Sequence, residues 1–424
     1  MAPHAILTVT ALLFLLYGLL SRRLARGVIT APMLAVAAGL AAGPLGSGWI
    51  ELPLTSGAVV TVGQVALAVL LFTGAAAPDG ELSVPWTLPA RLLLLGLPLA
   101  LALGVLAARP LFPDMPLGWL AVMACVLAPA DASLGAPLTR DPEVPGPVRD
   151  LVGVEGGLGK AVALPLLLVL LALAEVPGDA PRQALGRAAL DALRELGLGA
   201  ALGAAVGWAG GRALDAAWRR GWTDETFARL VSPGLAVVAL GLAGLCGVDG
   251  LVAACCAGLA LSARDPDLRG WLGDYGRADG MGFELFVYLL VGATMLPLAL
   301  PYWDLRTLAY ALLSLTLVRG AAVAVALLGA GVGRGTVAFV AWFGPRGVAS
   351  VLFLVLVVDR SGLAGHERLF AAVVLTVLLS IVLHGASAVL PPSVWRRRAR
   401  GPGQALGEAP ALAPSRPSPD GRAS

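Results

Sequence analysis

The chain has 424 residues, of which 58% are hydrophobic and 13% are charged, and its formal net charge is +3. This composition is far more apolar than that of soluble globular proteins and excludes a soluble enzyme. Because a bilayer excludes open strands, we predict an all-α polytopic membrane protein. The basic residues lie at the ends of apolar segments, where membrane topology explains them, so no nucleic-acid partner is expected.

Apolar segments recur from Ala5 to Leu390, separated by short polar or Gly/Pro-rich connections. A bilayer core of about 30 Å requires about 20 helical residues. We predict about thirteen spans, in residues 5–20, 28–44, 57–76, 89–107, 117–137, 151–174, 195–213, 228–246, 248–263, 282–300, 306–329, 336–358 and 367–389. The first is expected to be a retained helix. A transmembrane domain of residues 1–395 is then followed by a disordered cytoplasmic tail of residues 396–424, rich in Pro, Ala, Gly and Ser.

Arginine positions predict the orientation of these spans in the cell membrane. Most arginines at the ends of spans fall on one side, which the positive-inside bias makes cytoplasmic. They are Arg22, Arg23, Arg26, Arg140, Arg149, Arg219, Arg220, Arg264, Arg269, Arg277, Arg396, Arg397, Arg398 and Arg400. We therefore predict a plasma-membrane protein with the N-terminus outside and the C-terminus in the cytoplasm. The exception is 175–194, predicted to be an external loop that carries three arginines.

A few ionisable residues fall inside the predicted spans, where charge is costly and therefore indicates function. The candidates are Asp131, Glu155, Lys160, Arg319 and Arg346, and Glu284 in the tenth span is interpreted either as partly buried or as marking an interface. Lys160 is the only lysine of the chain, since every other basic side chain apart from histidine is arginine. A structural alternative exists for some of them, because Glu155 could pair with Arg319 or Arg346 simply to hold two helices together.

Two prolines interrupt predicted spans directly before charged residues. Pro129 precedes Asp131 in the fifth span, and Pro345 precedes Arg346 in the twelfth. A proline removes a helix hydrogen bond and frees backbone carbonyls. Broken spans in corresponding positions of two chain halves are typical of secondary transporters built from inverted repeats. By contrast, His384 is interpreted as a structural or interfacial histidine, and the four cysteines as packing residues without metal-ligand spacing.

Several segments are similar to known transporters: "LAVLLFTGAAAPDGEL", "LAPADASLGAPLTRDPEVPGPVRDLVGVEGGLGKAVALPLLL", "DGLVAACCAGLALS" and "AWFGPRGVASVLFLVLVV". Together they resemble the monovalent cation:proton antiporters of the NhaP/NHE type, in the family's order and over nearly the whole chain. The resemblance implies thirteen helices in two inverted repeats and a homodimer. It also implies a six-helix core in which two crossed, interrupted helices hold the ion site. Its implied substrates are a monovalent cation and the proton, without a cofactor.

The ion site departs from the pattern that the resemblance implies. The family's T-D-P in the fifth span reads Ala130, Asp131, Ala132 here, and its E-S-G-L-N-D in the sixth span reads "EGGLGK". Glu155 is retained, but Gly159 replaces the asparagine and Lys160 replaces the ion-binding aspartate. Arg319 and Arg346 match the family's arginines. Asp131 thus remains as the carboxylate that the resemblance implies for a transported Na⁺ or K⁺.

These substitutions change the charge of the site and leave three functions open. A usual site has three carboxylates and two arginines, whereas this one has two carboxylates and three bases when Lys160 is protonated. A buried lysine, unlike arginine, can release its proton. Lys160 could therefore carry the transported proton, pairing with Asp131 when charged. Alternatively it locks a transport-inactive protein, or the positive site serves a proton-coupled carrier of an anion.

Overall fold

The computed structural model describes residues 2–24, 28–54, 56–76, 84–131, 144–177, 182–228, 230–262 and 282–387. All regular elements in these ranges are helical, which confirms the all-α prediction for them. The predicted tail at 396–424 lies outside the described residues. So do residues 132–137 at the end of the fifth predicted span.

The helices of the described residues occupy all of the predicted span ranges at least in part. In chain order they are α1 (Ala2–Leu24), α2 (Ala31–Ala42), α3 (Gly57–Ala76), α4 (Thr87–Leu111), α5 (Leu117–Val126), α6 (Gly146–Ala174), α7 (Arg182–Arg219), α8 (Val231–Cys246), α9 (Gly250–Ser262), α10 (Gly282–Tyr302), α11 (Leu305–Ala326), α12 (Arg334–Trp342), α13 (Val348–Ser361) and α14 (Glu367–Ser387). Seven of these helices are long and apolar enough to cross a membrane, and four others are shorter and apolar. The number of crossings itself stays a prediction.

The segment 175–194 is not the loop that its arginines suggested. α7 begins at Arg182 and continues for 38 residues to Arg219. Its first part reads "RQALGRAALDALR", which consists largely of strong helix formers. The arginines of this segment therefore lie on a helix, and the expectation of a loop was wrong from Arg182 onward.

Both predicted proline interruptions are present. α5 ends at Val126, and residues 127–131 are not helical. α12 ends at Trp342 and α13 begins at Val348, so residues 343–347 are also outside regular helix. We call residues 127–131 the first unwound segment and residues 343–347 the second. Each contains the proline that the sequence identified, Pro129 or Pro345. Proline interrupts a helix because it cannot donate a backbone hydrogen bond.

The packing of the helices depends on small residues at close contacts. Along one face of α7, Gly199, Gly203 and Gly207 lie against backbone atoms of the loop before α9 and of α9 itself. A Cβ atom at Gly203 would lie 2.1 Å from the Ala253 carbonyl oxygen. Such close backbone approach is typical of helices that pack within membranes. α9 packs against α3, α7 and α8, whereas α6 contacts α3, α5 and α7, and α14 contacts α11.

Aspartates cap two of the helices. Between α10 and α11, Asp304 accepts hydrogen bonds from the backbone and the side chain of Thr307, at 2.8 and 2.7 Å. These hydrogen bonds lower the pKa of the exposed Asp304 carboxyl. The cap therefore stabilises α11 above the ordinary pKa of aspartate and is lost as the pH falls through the lowered pKa.

Asp249 joins the start of α9 to the end of α13. Its Oδ1 accepts the amides of Leu251 and Val252, at 3.0 and 2.9 Å. Its Oδ2 accepts a hydrogen bond of 2.8 Å from Arg360. Because α13 begins at the second unwound segment, this ion pair fixes the far end of a helix whose start belongs to the candidate site.

We predict that Asp249→Ala lowers the free energy of unfolding by about 1–3 kcal/mol, since a cap and a partly buried hydrogen bond to a charged group are lost together. Asp249→Asn keeps an oxygen for the cap and should cost less. Thermal unfolding of the detergent-solubilised protein measures both. Asp191→Ala is the control, because its pair with Arg194 is highly exposed. Equal losses of unfolding free energy in Asp249→Ala and Asp191→Ala would contradict the assignment of Asp249 as a helix cap and ion-pair partner.

Candidate functional site

The two unwound segments lie against each other, and side chains from α13 and the second segment donate to carbonyls of the last residue of α5 and of the first segment. Arg346 Nη1 donates to the Ala128 carbonyl at 2.8 Å, and Ser350 Oγ donates to the Val126 carbonyl at 2.9 Å. All of these side chains and backbone groups are buried. The carbonyls that the break before Asp131 exposes are therefore held by groups on the opposite broken helix.

Asp131 lies where the two unwound segments meet. Its backbone amide donates to the Pro345 carbonyl at 2.8 Å. Its carboxylate is buried, with Oδ1 3.1 Å from Lys160 Nζ, and Oδ2 accepts the Ala349 amide at 3.3 Å. Ala349 is in the first turn of α13, whose N-terminus favours negative charge. The sequence-predicted pair of Asp131 and Lys160 is thus in direct contact.

A glycine makes room for this carboxylate. A Cβ atom at Gly347 would lie 2.6 Å from Asp131 Oδ2 and 2.9 Å from the Tyr288 hydroxyl oxygen. By contrast, a Cβ atom at Gly159 would meet only Leu93, at 3.9 Å. Gly347 is therefore required for the position of Asp131. Gly159 is not sterically required, and it leaves a buried position of α6 without the oxygen that an asparagine would supply.

Glu155 and Arg319 form the second ion pair of the site. Nη1 of Arg319 donates to Oε1 of Glu155, and Nη2 donates to Oε2 at 2.7 Å, so the pair is bidentate. Arg319 Nη2 also donates to the Val340 carbonyl in α12 at 3.2 Å. Gly344 lies beside this guanidinium, because a Cβ atom there would be 2.2 Å from Nη2. Of the two partners that the sequence left open for Glu155, the structure selects Arg319.

Arg346 is buried and has a different environment. Besides the bond to Ala128, its backbone amide donates to Ser380 Oγ at 2.8 Å. Within the described part of the chain, no ion pair involves Arg346. The five buried ionisable side chains of the site therefore include three cations and two carboxylates when all are charged. This arrangement has an excess of one positive charge.

The site also contains residues that the sequence analysis did not assign to it. Ser380 and His384 of α14 lie beside the second unwound segment, and His384 is buried with a relative exposure of 2%. The spacing of four residues between them on one helix face was the available signal. Among the described residues, no group of three or more His, Cys, Asp or Glu side chains could hold a metal ion.

We predict that Glu155→Gln destabilises the protein by about 3–5 kcal/mol, because it leaves the Arg319 guanidinium buried without its carboxylate. The double variant Glu155→Met/Arg319→Met should recover most of this loss, since it removes both charges. Thermal and denaturant unfolding in detergent measure the three free energies. A double variant less stable than the single one would show that the pair is not the source of the cost.

Comparisons with known proteins agree with this architecture. Residues 9–392 match the family model described as "Sodium/hydrogen exchanger, transmembrane". Two solved structures of the sodium proton antiporter MjNhaP1 from Methanocaldococcus jannaschii, one at pH 8 and one an electron-microscopy map, share 18% identity with this chain. Their TM-scores are 0.71 and 0.70, and the alignments cover 94% of this chain and 99% and 98% of those chains. A search of curated proteins finds no match.

The structural likeness confirms the predicted antiporter fold, and the family match confirms the resemblance noted in the sequence. The match extends over nearly the whole chain, from the first helix to beyond α14. The chain therefore belongs to the sodium/hydrogen exchanger family of membrane transporters.

Proposed function

We propose that this protein exchanges a monovalent cation, Na⁺ or K⁺, for protons, and that the ammonium of Lys160 competes with the cation for Asp131. Family membership and the antiporter fold support exchange in general. The observation that carries the specific proposal is the buried contact of 3.1 Å between Lys160 Nζ and Asp131 Oδ1. It joins the one lysine of the chain to the carboxylate at the meeting point of the two unwound segments.

Charge explains why the two ligands exclude each other. Two unit charges about 4 Å apart interact by about 4 kcal/mol at an effective dielectric constant near 20. The electrostatic repulsion between a protonated Lys160 and a cation is therefore strong enough to keep the cation away from Asp131. When Lys160 releases its proton, Asp131 no longer faces a positive charge at this contact, and its carboxylate can attract a cation. Arginine could not make this change, because its guanidinium stays protonated.

The oxygen ligands available to a cation are fewer than the family pattern supplies. Ala130 and Gly159 carry no side-chain oxygen, and hard cations favour several oxygen ligands. Backbone carbonyls of the unwound segments, together with Asp131, are the remaining candidates. We therefore expect cation binding of low affinity, which suits a site that must release its ion in each cycle.

The charge of the site also predicts whether exchange moves net charge across the membrane. With Lys160 protonated and no cation, the three bases exceed the two carboxylates by one. With Lys160 neutral and one monovalent cation at Asp131, the net charge of the site is the same. Exchange of one cation for one proton would thus move equal charge in both directions, and transport would be electroneutral.

The first test is cation-driven proton flux in proteoliposomes, comparing the wild type with Lys160→Arg. The variant keeps the positive charge but cannot release a proton, so exchange should fall by about a hundredfold or more. Arg194→Lys, an exposed exchange of the same two residue types, is the matched control and should leave the rate unchanged. Na⁺, K⁺ and Li⁺ gradients are tested in turn.

Two results would contradict the proposal. If Lys160→Arg transports as fast as the wild type, the proton is not carried at residue 160. If the wild type is silent and Lys160→Asp gains exchange, Lys160 is a lock and the protein is transport-inactive as it stands.

The second test uses the membrane potential. We expect the rate of cation:proton exchange to be the same at potentials set to zero or to about −100 mV, where each net charge moved would be worth about 2.3 kcal/mol. A potassium gradient with valinomycin sets the potential, with Na⁺ as the transported cation. A rate that rises steeply with the potential would show that the two half-cycles carry unequal charge.

A second candidate function is a proton-coupled carrier of an anion. The observation that favours it is the buried Arg346, for which the described residues provide no ion pair. Proton flux driven by a chloride gradient tests it in the same proteoliposomes. If a chloride gradient drives proton flux and cation gradients do not change it, this candidate is favoured over cation exchange.

The remaining expectations concern membrane placement and assembly. We propose a homodimer in the plasma membrane, with an external N-terminus, a cytoplasmic C-terminus and two inverted repeats of spans one to six and eight to thirteen. The arginine distribution and the family resemblance support these assignments.

A further inference from the structure

We propose that His384 is a positioning residue for the ion site, which holds the second unwound segment when neutral and loosens it when protonated. The inference rests on the proposed function in one respect, that this segment helps to bind the transported ion. The sequence favoured a structural or interfacial role for this histidine. The contacts of its ring assign it to the ion-site scaffold.

The contacts of His384 reach the unwound segment in two steps. His384 Nδ1 lies 3.1 Å from Ser380 Oγ and 3.0 Å from the Ser380 carbonyl oxygen. Ser380 Oγ in turn accepts the Arg346 backbone amide at 2.8 Å. The imidazole, the hydroxyl and the amide thus form one buried chain of hydrogen bonds. This chain ends at the residue between Pro345, which binds the Asp131 amide, and Gly347, which makes room for its carboxylate.

His384 also holds the helix that precedes the segment. Its ring lies 5.1 Å from the Trp342 ring, at an interplanar angle of 43°. The Trp342 indole donates to Ser387 Oγ at 3.0 Å, one turn further along α14. The end of α12 and the middle of the unwound segment are therefore both fastened to α14 around this one imidazole.

We assign to the neutral ring the tautomer that carries its proton on Nε2, so that Nδ1 is an acceptor. Ser380 Oγ already accepts from Arg346, so its own proton can be donated to Nδ1. Protonation of Nδ1 removes that acceptor, and the protonated nitrogen then donates to the Ser380 carbonyl oxygen, which already lies 3.0 Å away. The hydroxyl then loses the partner that orients it toward Arg346.

The charges around His384 oppose its protonated form. Arg346 faces it from the second unwound segment, and Arg319 faces it from α11, where Glu155 of α6 already neutralises Arg319. The Asp131–Lys160 pair lies beyond Arg346. Ser380 and Ser387 of α14 and Trp342 of α12 are uncharged, as are Thr30 and Met33, which approach α14 at Gly385. A protonated imidazole therefore adds a positive charge beside Arg346, without a carboxylate facing it among the residues named.

Histidine NMR tests the geometry without any need for transport. The chain has three histidines, so the variant His4→Gln/His366→Gln leaves His384 as the only signal. In nanodiscs at neutral pH, ring ¹⁵N shifts should show a protonated Nε2 and an unprotonated Nδ1. Adding Ser380→Ala should shift the Nδ1 signal. The proposal is overturned if Nδ1 is protonated at neutral pH. It is also overturned if Ser380→Ala does not change the chemical shift of Nδ1.

Transport then tests the consequence for the site. His384→Asn offers an acceptor that cannot titrate, so its transport rate should change less between alkaline and acid pH than the rate of the wild type. On the acid side its rate should exceed that of the wild type, because the loosening step is gone. His384→Ala should be slower by about tenfold at every pH, as expected for the loss of a buried hydrogen bond. His4→Asn, at an exposed position, is the control.

The two hypotheses fail in different ways. A wild type that is silent with all cations contradicts the proposed function, while the NMR result still decides whether His384 holds Ser380. A wild type that transports, together with a His384→Asn pH profile identical to its own, overturns the positioning role alone.

Discussion

In the proposed function, the ion pair between Lys160 and Asp131 determines what this site can bind. It is buried among helices, it lies at the meeting point of two proline breaks, and its carboxylate also receives an amide from the start of α13. The free-energy cost of removing two charges from water offsets much of the attraction between them. Its retention in a membrane interior therefore indicates a function, and the ability of lysine to become neutral gives that function a physical basis.

The site combines two ion pairs of different character on one helix. Glu155 and Lys160 are five residues apart on α6, so they point about 140° away from each other around the helix axis. Glu155 faces Arg319 in a bidentate contact with a side chain that stays charged. Lys160 faces Asp131 in a contact whose cation can titrate. The first pair thus holds α6 to α11 throughout, and the second can open without disturbing it.

Much of this arrangement could be predicted from the sequence because it depends on local chemistry. Apolar segments predicted the helices, Pro129 and Pro345 predicted the breaks, and the unique lysine identified the unusual position. The choice of Arg319 as the partner of Glu155 could not be predicted, since a sequence gives no distance between helices. The start of α7 at Arg182 was missed because charge was interpreted as loop. The Ser380–His384 link was missed because its importance comes from Arg346, which is distant in sequence.

The most direct test of the account is proton release on cation binding. The purified protein in weakly buffered detergent solution is titrated with Na⁺ or K⁺ at a series of starting pH values, and the protons released are counted against the cations bound. The account predicts one proton released per cation, and no release and no binding in Lys160→Arg. Cation binding without proton release in the wild type would contradict it, because Asp131 could then accept a cation while Lys160 keeps its charge.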